Sequence, residues 1–108
     1  MNKKEVIIYD YISSPSAVTT EQGDIVYSKL YPIVSECIKN NSKIELNFKN
    51  IDAITTAFLN NAIGKLFYKF EVNDLLNNLY FTECKSGSII NSIKRSLSNA
   101  IVLSKLDK

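Results

Sequence analysis

KIELNFKNIDAITTAFLNNAIGKLFYKF, running from Lys43 to Phe70, decides the fold. Its first residues alternate, with Ile44, Leu46 and Phe48 on one face of a strand and Lys43, Glu45 and Asn47 on the other. A strand buried on both faces reads as a continuous apolar run, so the alternation predicts a sheet covered on one side only. The period then changes. Leu59, Ala62, Ile63, Leu66, Phe67 and Phe70 fall at helical spacing, which predicts one regular amphipathic helix with Asn60, Asn61, Lys65 and Lys69 outward. Gly64 costs that helix about 1 kcal/mol of propensity and leaves room for close packing. Between strand and helix, a loop over residues 49–54 ends in Thr55-Thr56. A hydroxyl there meets the unpaired N–H groups and the positive dipole end of a helix start. It serves either as a plain cap or as a point of phosphorylation or recognition.

Outward from this stretch strands and helices keep alternating, without an internal sequence repeat. Val6 to Tyr9 is β-branched and aromatic and precedes the turn signal Ser-Ser-Pro-Ser at residues 13–16, which predicts a first strand. Ala17 to Thr19 extends briefly before Thr20, a candidate N-cap, and Gly23 delays the helix start. Val26, Leu30, Ile33, Val34, Cys37 and Ile38 then recur at helical spacing. Pro32 removes the N–H that would bond the Ser28 carbonyl, so a kink or restart is expected there. Asn40 and Asn41 end the segment. Downstream, residues 71–78 read as a polar connection and Leu79 to Thr82 as a third strand. Ser86-Gly87-Ser88 supplies a break and a cap, and Ile89, Ile93, Leu97, Ala100 and Ile101 mark a last amphipathic helix. The order β-α-β-α-β-α, with right-handed crossovers, predicts a small two-layer α/β domain over residues 1–108, its sheet mixed or mostly parallel and its helices on one face.

A chain of 108 residues is long enough for one core without staples. Apolar residues make up 45% and charged residues 22%, the balance of a globular protein. Thirteen basic residues against eleven acidic ones give a net charge of +2, too even to imply nucleic acid as a partner. Cys37 and Cys84 read as two reduced thiols acting as small hydrophobes, since no C-x-x-C spacing is present. The N-terminus has no signal-peptide pattern, and no apolar segment approaches about 20 residues, which predicts a cytoplasmic protein without a membrane span. The sequence contains no histidine, which removes the commonest general base and metal ligand along with triads of the Ser-His-Asp and Cys-His types. No P-loop or G-x-G-x-x-G is present. No catalytic residue, metal ligand or cofactor is therefore assigned.

Residues 47–67, NFKNIDAITTAFLNNAIGKLF, together with the upstream AVTTEQGDIVY at residues 17–27, resemble the STAS superfamily (sulfate transporter and anti-sigma-factor antagonist domains), and within it a STAS-like domain family of unknown function. In anti-sigma-factor antagonists the corresponding loop reads like D-S-S-G-L, and a partner kinase phosphorylates one of its serines. Thr55, Thr56, Ala57, Phe58 and Leu59 stand at those positions here, without the acidic residue and the glycine. The resemblance implies a regulatory binding module without catalytic residues to transfer, whose partner is a kinase or ATPase. Thr55 and Thr56 become the candidate switch, and Asp52, Phe58, Asn60 and Asn61 candidate partner contacts. Phe58 has two readings, a side chain that covers the loop or an exposed anchor. Three further readings stay open. One is a phage or mobile-element protein that inhibits a host or defence factor. Another is a small-ligand sensor using the helix start as an anion site. The third is a homodimer formed by edge pairing or through an open sheet face shared by Tyr9, Asn47, Tyr80 and Thr82.

Overall fold

The computed structural model describes residues 3–106. Three strands, β1 (Lys3–Ile7), β3 (Lys43–Asn47) and β5 (Leu79–Thr82), form an all-parallel sheet in the order β1-β3-β5. A second, two-residue parallel ladder joins β2 (Ser16–Ala17) to β4 (Ala53–Ile54). Helices α1 (Ile8–Ile12), α2 (Thr20–Lys39), α3 (Thr56–Leu59), α4 (Leu66–Lys69), α5 (Val72–Asn78) and α6 (Gly87–Leu106) complete the fold, with a π-helical turn over Asn60–Gly64 between α3 and α4. The architecture is the expected small α/β domain, and its sheet is purely parallel.

The alternation in β3 divides the sheet as the sequence indicates. Ile44 and Leu46 are fully buried, and Val6 and Leu79 lie beside them in the pairing register. On the other face Glu5, Glu45 and Tyr80 form one cross-strand row and Ile7, Asn47 and Thr82 the next. That face is polar but internally satisfied. Thr82 Oγ1 donates to Glu45 Oε2 at 2.7 Å and Lys3 Nζ sits 3.0 Å from Glu45 Oε1. Asn47 Nδ2 donates to Glu5 Oε2 at 2.9 Å, and the backbone N–H of Lys49 donates to Asn47 Oδ1 at 2.8 Å. Asn47, Tyr80 and Thr82 do share this face. Tyr9 does not, because the chain leaves the sheet after Ile7 and turns into α1, which buries Ile8 completely. Packing of Ile8 here outweighs the β preference of the Ile-Ile-Tyr run.

Three other expectations are corrected. The first long helix starts earlier than Gly23 suggests. Thr19, not Thr20, is its N-cap: Thr19 Oγ1 accepts from Gln22 N and Gln22 Oε1 accepts from Thr19 N, a reciprocal capping box. Helix α2 then runs unbroken through Pro32 to Lys39. It tolerates the missing hydrogen bond because Ser28 and Pro32 both lie on the exposed side, where water can reach the freed carbonyl. The supposed polar connection contains α5, which seats Leu75 in the core.

The predicted regular helix over Leu59–Phe70 is interrupted by the π turn, yet its inward stripe survives. Leu59, Ala62, Ile63, Leu66 and Phe67 are all buried. One reason for the local geometry is visible in α2. A Cβ placed on Gly23 would lie 2.6 Å from the Phe58 carbonyl oxygen and 2.7 Å from Asn61 Cβ. The two helical segments thus touch backbone to backbone, and only glycine fits at the crossing. Gly64 is less constrained, since a Cβ there would meet Ala100 Cβ at 3.7 Å, an ordinary contact distance.

Candidate functional site

The loop before Thr55 is fixed by the small β2–β4 ladder, which pairs Ser16 with Ala53 and Ala17 with Ile54. The ladder sets two helix starts side by side, Thr19-Thr20 opening α2 and Thr55-Thr56 opening α3. The ladder is extended by Thr55 N donating to the Ala17 carbonyl at 3.1 Å. Thr55 Oγ1 donates to the Val18 carbonyl at 2.9 Å and accepts from Phe58 N at 3.1 Å. The Thr55 hydroxyl is therefore committed both as donor and as acceptor. It caps α3 and ties it to the start of α2.

Thr56 differs. It is the first residue of α3, half-buried, and its hydroxyl enters no hydrogen bond among the described residues. Around it, Asp52, Ala53, Ala57 and Asn60 are exposed. Asp52 Oδ1 lies 3.2 Å from Lys85 Nζ, a pair with both side chains more than half exposed and so of small energetic weight. Asn60 stays accessible while its Oδ1 accepts from Ser96 Oγ at 2.6 Å, which ties the π turn to α6.

Two of the expected contact residues are engaged within the domain, Phe58 in the core and Asn61 against α2. Phe58 is fully buried in the core, so the covering reading holds and the exposed-anchor reading falls. Its aromatic surface is among the largest fully buried side chains of the domain, and transfer of that area from water outweighs any use at an interface. Asn61 is turned toward α2, where its Nδ2 donates to Asp24 Oδ1 at 3.0 Å. Lys65 Nζ reaches the same carboxylate oxygen at 2.7 Å and also lies over the Tyr27 ring. Hydrogen bonding from Lys65, with its positive charge, holds the Asp24 carboxyl below the usual carboxylate range.

Beyond Asn60, a groove of about 360 Å³ opens between the π turn with α4 and the C-terminal half of α6. Tyr68, Val102 and Leu103 border it and are 48%, 56% and 50% exposed, so three exposed apolar side chains gather there. Sequence reading missed this surface. Its signal was apolar residues standing off the buried stripe: Tyr68 beside Phe67, and Val102 with Leu103 after Ile101.

Cys37 is buried and Cys84 half-buried, and both are free thiols raised above their ordinary pKa chiefly by burial. Low thiolate character makes such thiols poor nucleophiles. Among the described residues no cluster of His, Cys, Asp or Glu has the grouping of a metal site, and no helix is long and apolar enough to cross a membrane.

Comparison with known proteins adds one finding. A family described as a STAS-like domain of unknown function (DUF4325) matches residues 27–88, the span from the middle of α2 to the start of α6. No curated protein and no solved structure matches the chain.

Proposed function

The chain belongs to the STAS-like domain family of unknown function, and from that premise we propose that it is a non-enzymatic regulatory module that binds another protein through the tip formed by residues 52–61. Thr56 is its switch, and the partner is of the kinase or ATPase type. The observation that carries this reading is the division of labour in the threonine pair. Thr55 is consumed by capping and by its bond to Val18. Thr56 presents an uncommitted hydroxyl in the first turn, among the exposed Asp52, Ala57 and Asn60.

A phosphate on Thr56 would add nearly two negative charges at a helix start, where the dipole favours them, without displacing an existing hydrogen bond. It would alter the charge of the contact face and leave the fold intact. Such chemistry calls for a kinase and ATP, so the cytoplasm is the compartment that suits this reading.

The test is made on protein recovered from its native cell. Mass spectrometry is expected to find phosphate on Thr56 and none on Thr55. Capture with Thr56→Ala and Thr56→Glu proteins is expected to differ at least tenfold for one partner. An unmodified Thr56 together with identical capture by both variants would remove the proposal.

A further inference from the structure

The groove beside Asn60 lies between two stretches of chain that carry charge of one sign only. Residues 53–70 contain Lys65 and Lys69 and no Asp or Glu, and residues 84–104 contain Lys85, Lys94 and Arg95, again with no acid. The rest of the sequence therefore holds eight basic residues against all eleven acidic ones. The even overall balance hides a segregation: the helices that build the groove are cationic and the remainder of the molecule is acidic.

Within the groove the chemistry is apolar at the centre and cationic or amide-bearing at the rim. Tyr68, Val102 and Leu103 provide the exposed apolar surface, with Asn60 and Asn99 between them. Lys69 follows Tyr68 and lies one turn beyond Lys65, and Arg95 lies one turn before Asn99; Lys69 and Arg95 are exposed. None of the residues that line the groove is acidic, and the one cation among them, Lys65, is paired with Asp24 of α2 at 2.7 Å. A trough between two helical elements with apolar anchors and a basic rim fits an amphipathic helix whose polar face is acidic.

We propose that this groove binds an acidic amphipathic helical segment of the partner protein, with its apolar face on Tyr68, Val102 and Leu103 and its carboxylates toward Lys69 and Arg95. The proposal rests on the reading of the chain as a protein-binding module and names a surface that adjoins the Thr56 tip and shares only Asn60 with it.

The probe is a synthetic 16-residue helical peptide with leucines at helical spacing and glutamates elsewhere, measured by fluorescence anisotropy and by amide shift mapping on the intact chain. Micromolar binding is expected, with shifts at Tyr68, Val102 and Leu103, and at least tenfold weaker binding in 500 mM salt than in 50 mM. The same peptide with lysine in place of glutamate is expected to bind at least tenfold more weakly. Leu103→Glu and Arg95→Glu should each cost tenfold or more. Lys39→Glu, the same change of charge at the far end of α2, should stay within twofold of wild type. Thermal melting confirms that these surface variants fold.

Equal affinity for the lysine peptide, shifts confined to other faces, or no binding at millimolar peptide would overturn the proposal. So would binding to anionic phospholipid vesicles in place of the peptide, or a dimer at tens of micromolar that Leu103→Glu dissolves. If peptide binding fails while the Thr56 variants still change capture, the groove assignment falls and the switch stands. The reverse pair of results removes the switch and leaves the groove.

Discussion

Ala17-Val18-Thr19-Thr20 and Ala53-Ile54-Thr55-Thr56 are nearly the same four residues, pair side by side in one short ladder, and each open a helix. They nevertheless solve the problem of a helix start differently. The first is closed locally. Gln22 accepts from the N–H groups of Val18 and Thr19 and donates to the Ser16 carbonyl at 2.9 Å, so one side chain binds the ladder to the helix. The second keeps the Thr55 cap on Phe58 N as its local bond and is otherwise closed by distant parts of the chain: Thr55 leans on Ala17 and Val18, and the residue at the position equivalent to Gln22 is Phe58, which fills the core. A start held by its own side chain yields an uninterrupted helix of 20 residues, while one held by tertiary contacts runs within a turn into a π segment. Wide turns of that kind are common at functional sites, and here the exposed tip and the groove both lie along the second start.

The comparison breaks most severely at Phe58. Phe58→Ala removes a fully buried aromatic and is expected to cost about 3–5 kcal/mol, measured by urea unfolding. Gln22→Ala, its local counterpart, should cost about 1–2 kcal/mol, because its groups are partly solvated and water can replace the lost bonds. Parity between the two would mean that the second start is not held by the core.

Next in size is the point where the two starts touch. Helix propensity alone favours Gly23→Ala by about 1 kcal/mol. The contacts at 2.6 and 2.7 Å predict the opposite sign, a net loss of about 1–3 kcal/mol as α2 is pushed from the π segment. A stabilised Gly23→Ala protein would show that the backbone contact is not tight in solution.

Smaller effects separate the caps. Thr55→Ala should cost about 0.5–2 kcal/mol, near the upper end because the Val18 carbonyl also loses its donor. Asp24, the clasp between α2 and the π turn, offers a pH test. Its folded pKa is depressed by the Lys65 hydrogen bond, so its contribution is present above the ordinary carboxylate range and is lost as pH falls through the lowered folded value. Between pH 5 and 2, Asp24→Asn should therefore lose less stability than wild type, by a small margin because the pair is exposed. Identical acid profiles would show the clasp to be without weight.

How much of this is legible before the fold is known depends on whether a residue acts locally. The inward stripe Leu59, Ala62, Ile63, Leu66 and Phe67 is readable because burial imposes a period, and it persists through a π turn that the period does not register. The strands Lys43–Asn47 and Leu79–Thr82 follow from alternation and β-branching. The capping box Thr19-x-x-Gln22 is present in the sequence, but Gly23 reads as a helix breaker. Its purpose, room for the Phe58 carbonyl, lies 35 residues away. The same holds for the tip. A threonine pair at a helix start is visible, whereas which hydroxyl is committed depends on Val18, and which apolar residues stay outside depends on the packing of α6 against the π turn.

The smallest expected effect is the most discriminating one. Thr56→Ala removes a hydroxyl that makes no hydrogen bond among the described residues, from a half-buried first-turn position where alanine is a good helix former. Stability should change by no more than about 0.5 kcal/mol in either direction. Thr55→Ala, its immediate neighbour, should be clearly worse. A stability loss for Thr56→Ala equal to that of Thr55→Ala would make both hydroxyls part of the scaffold and leave the tip without a residue to modify. A neutral Thr56→Ala would leave that hydroxyl without a structural task, and partner capture then becomes the measurement in which its removal has to register.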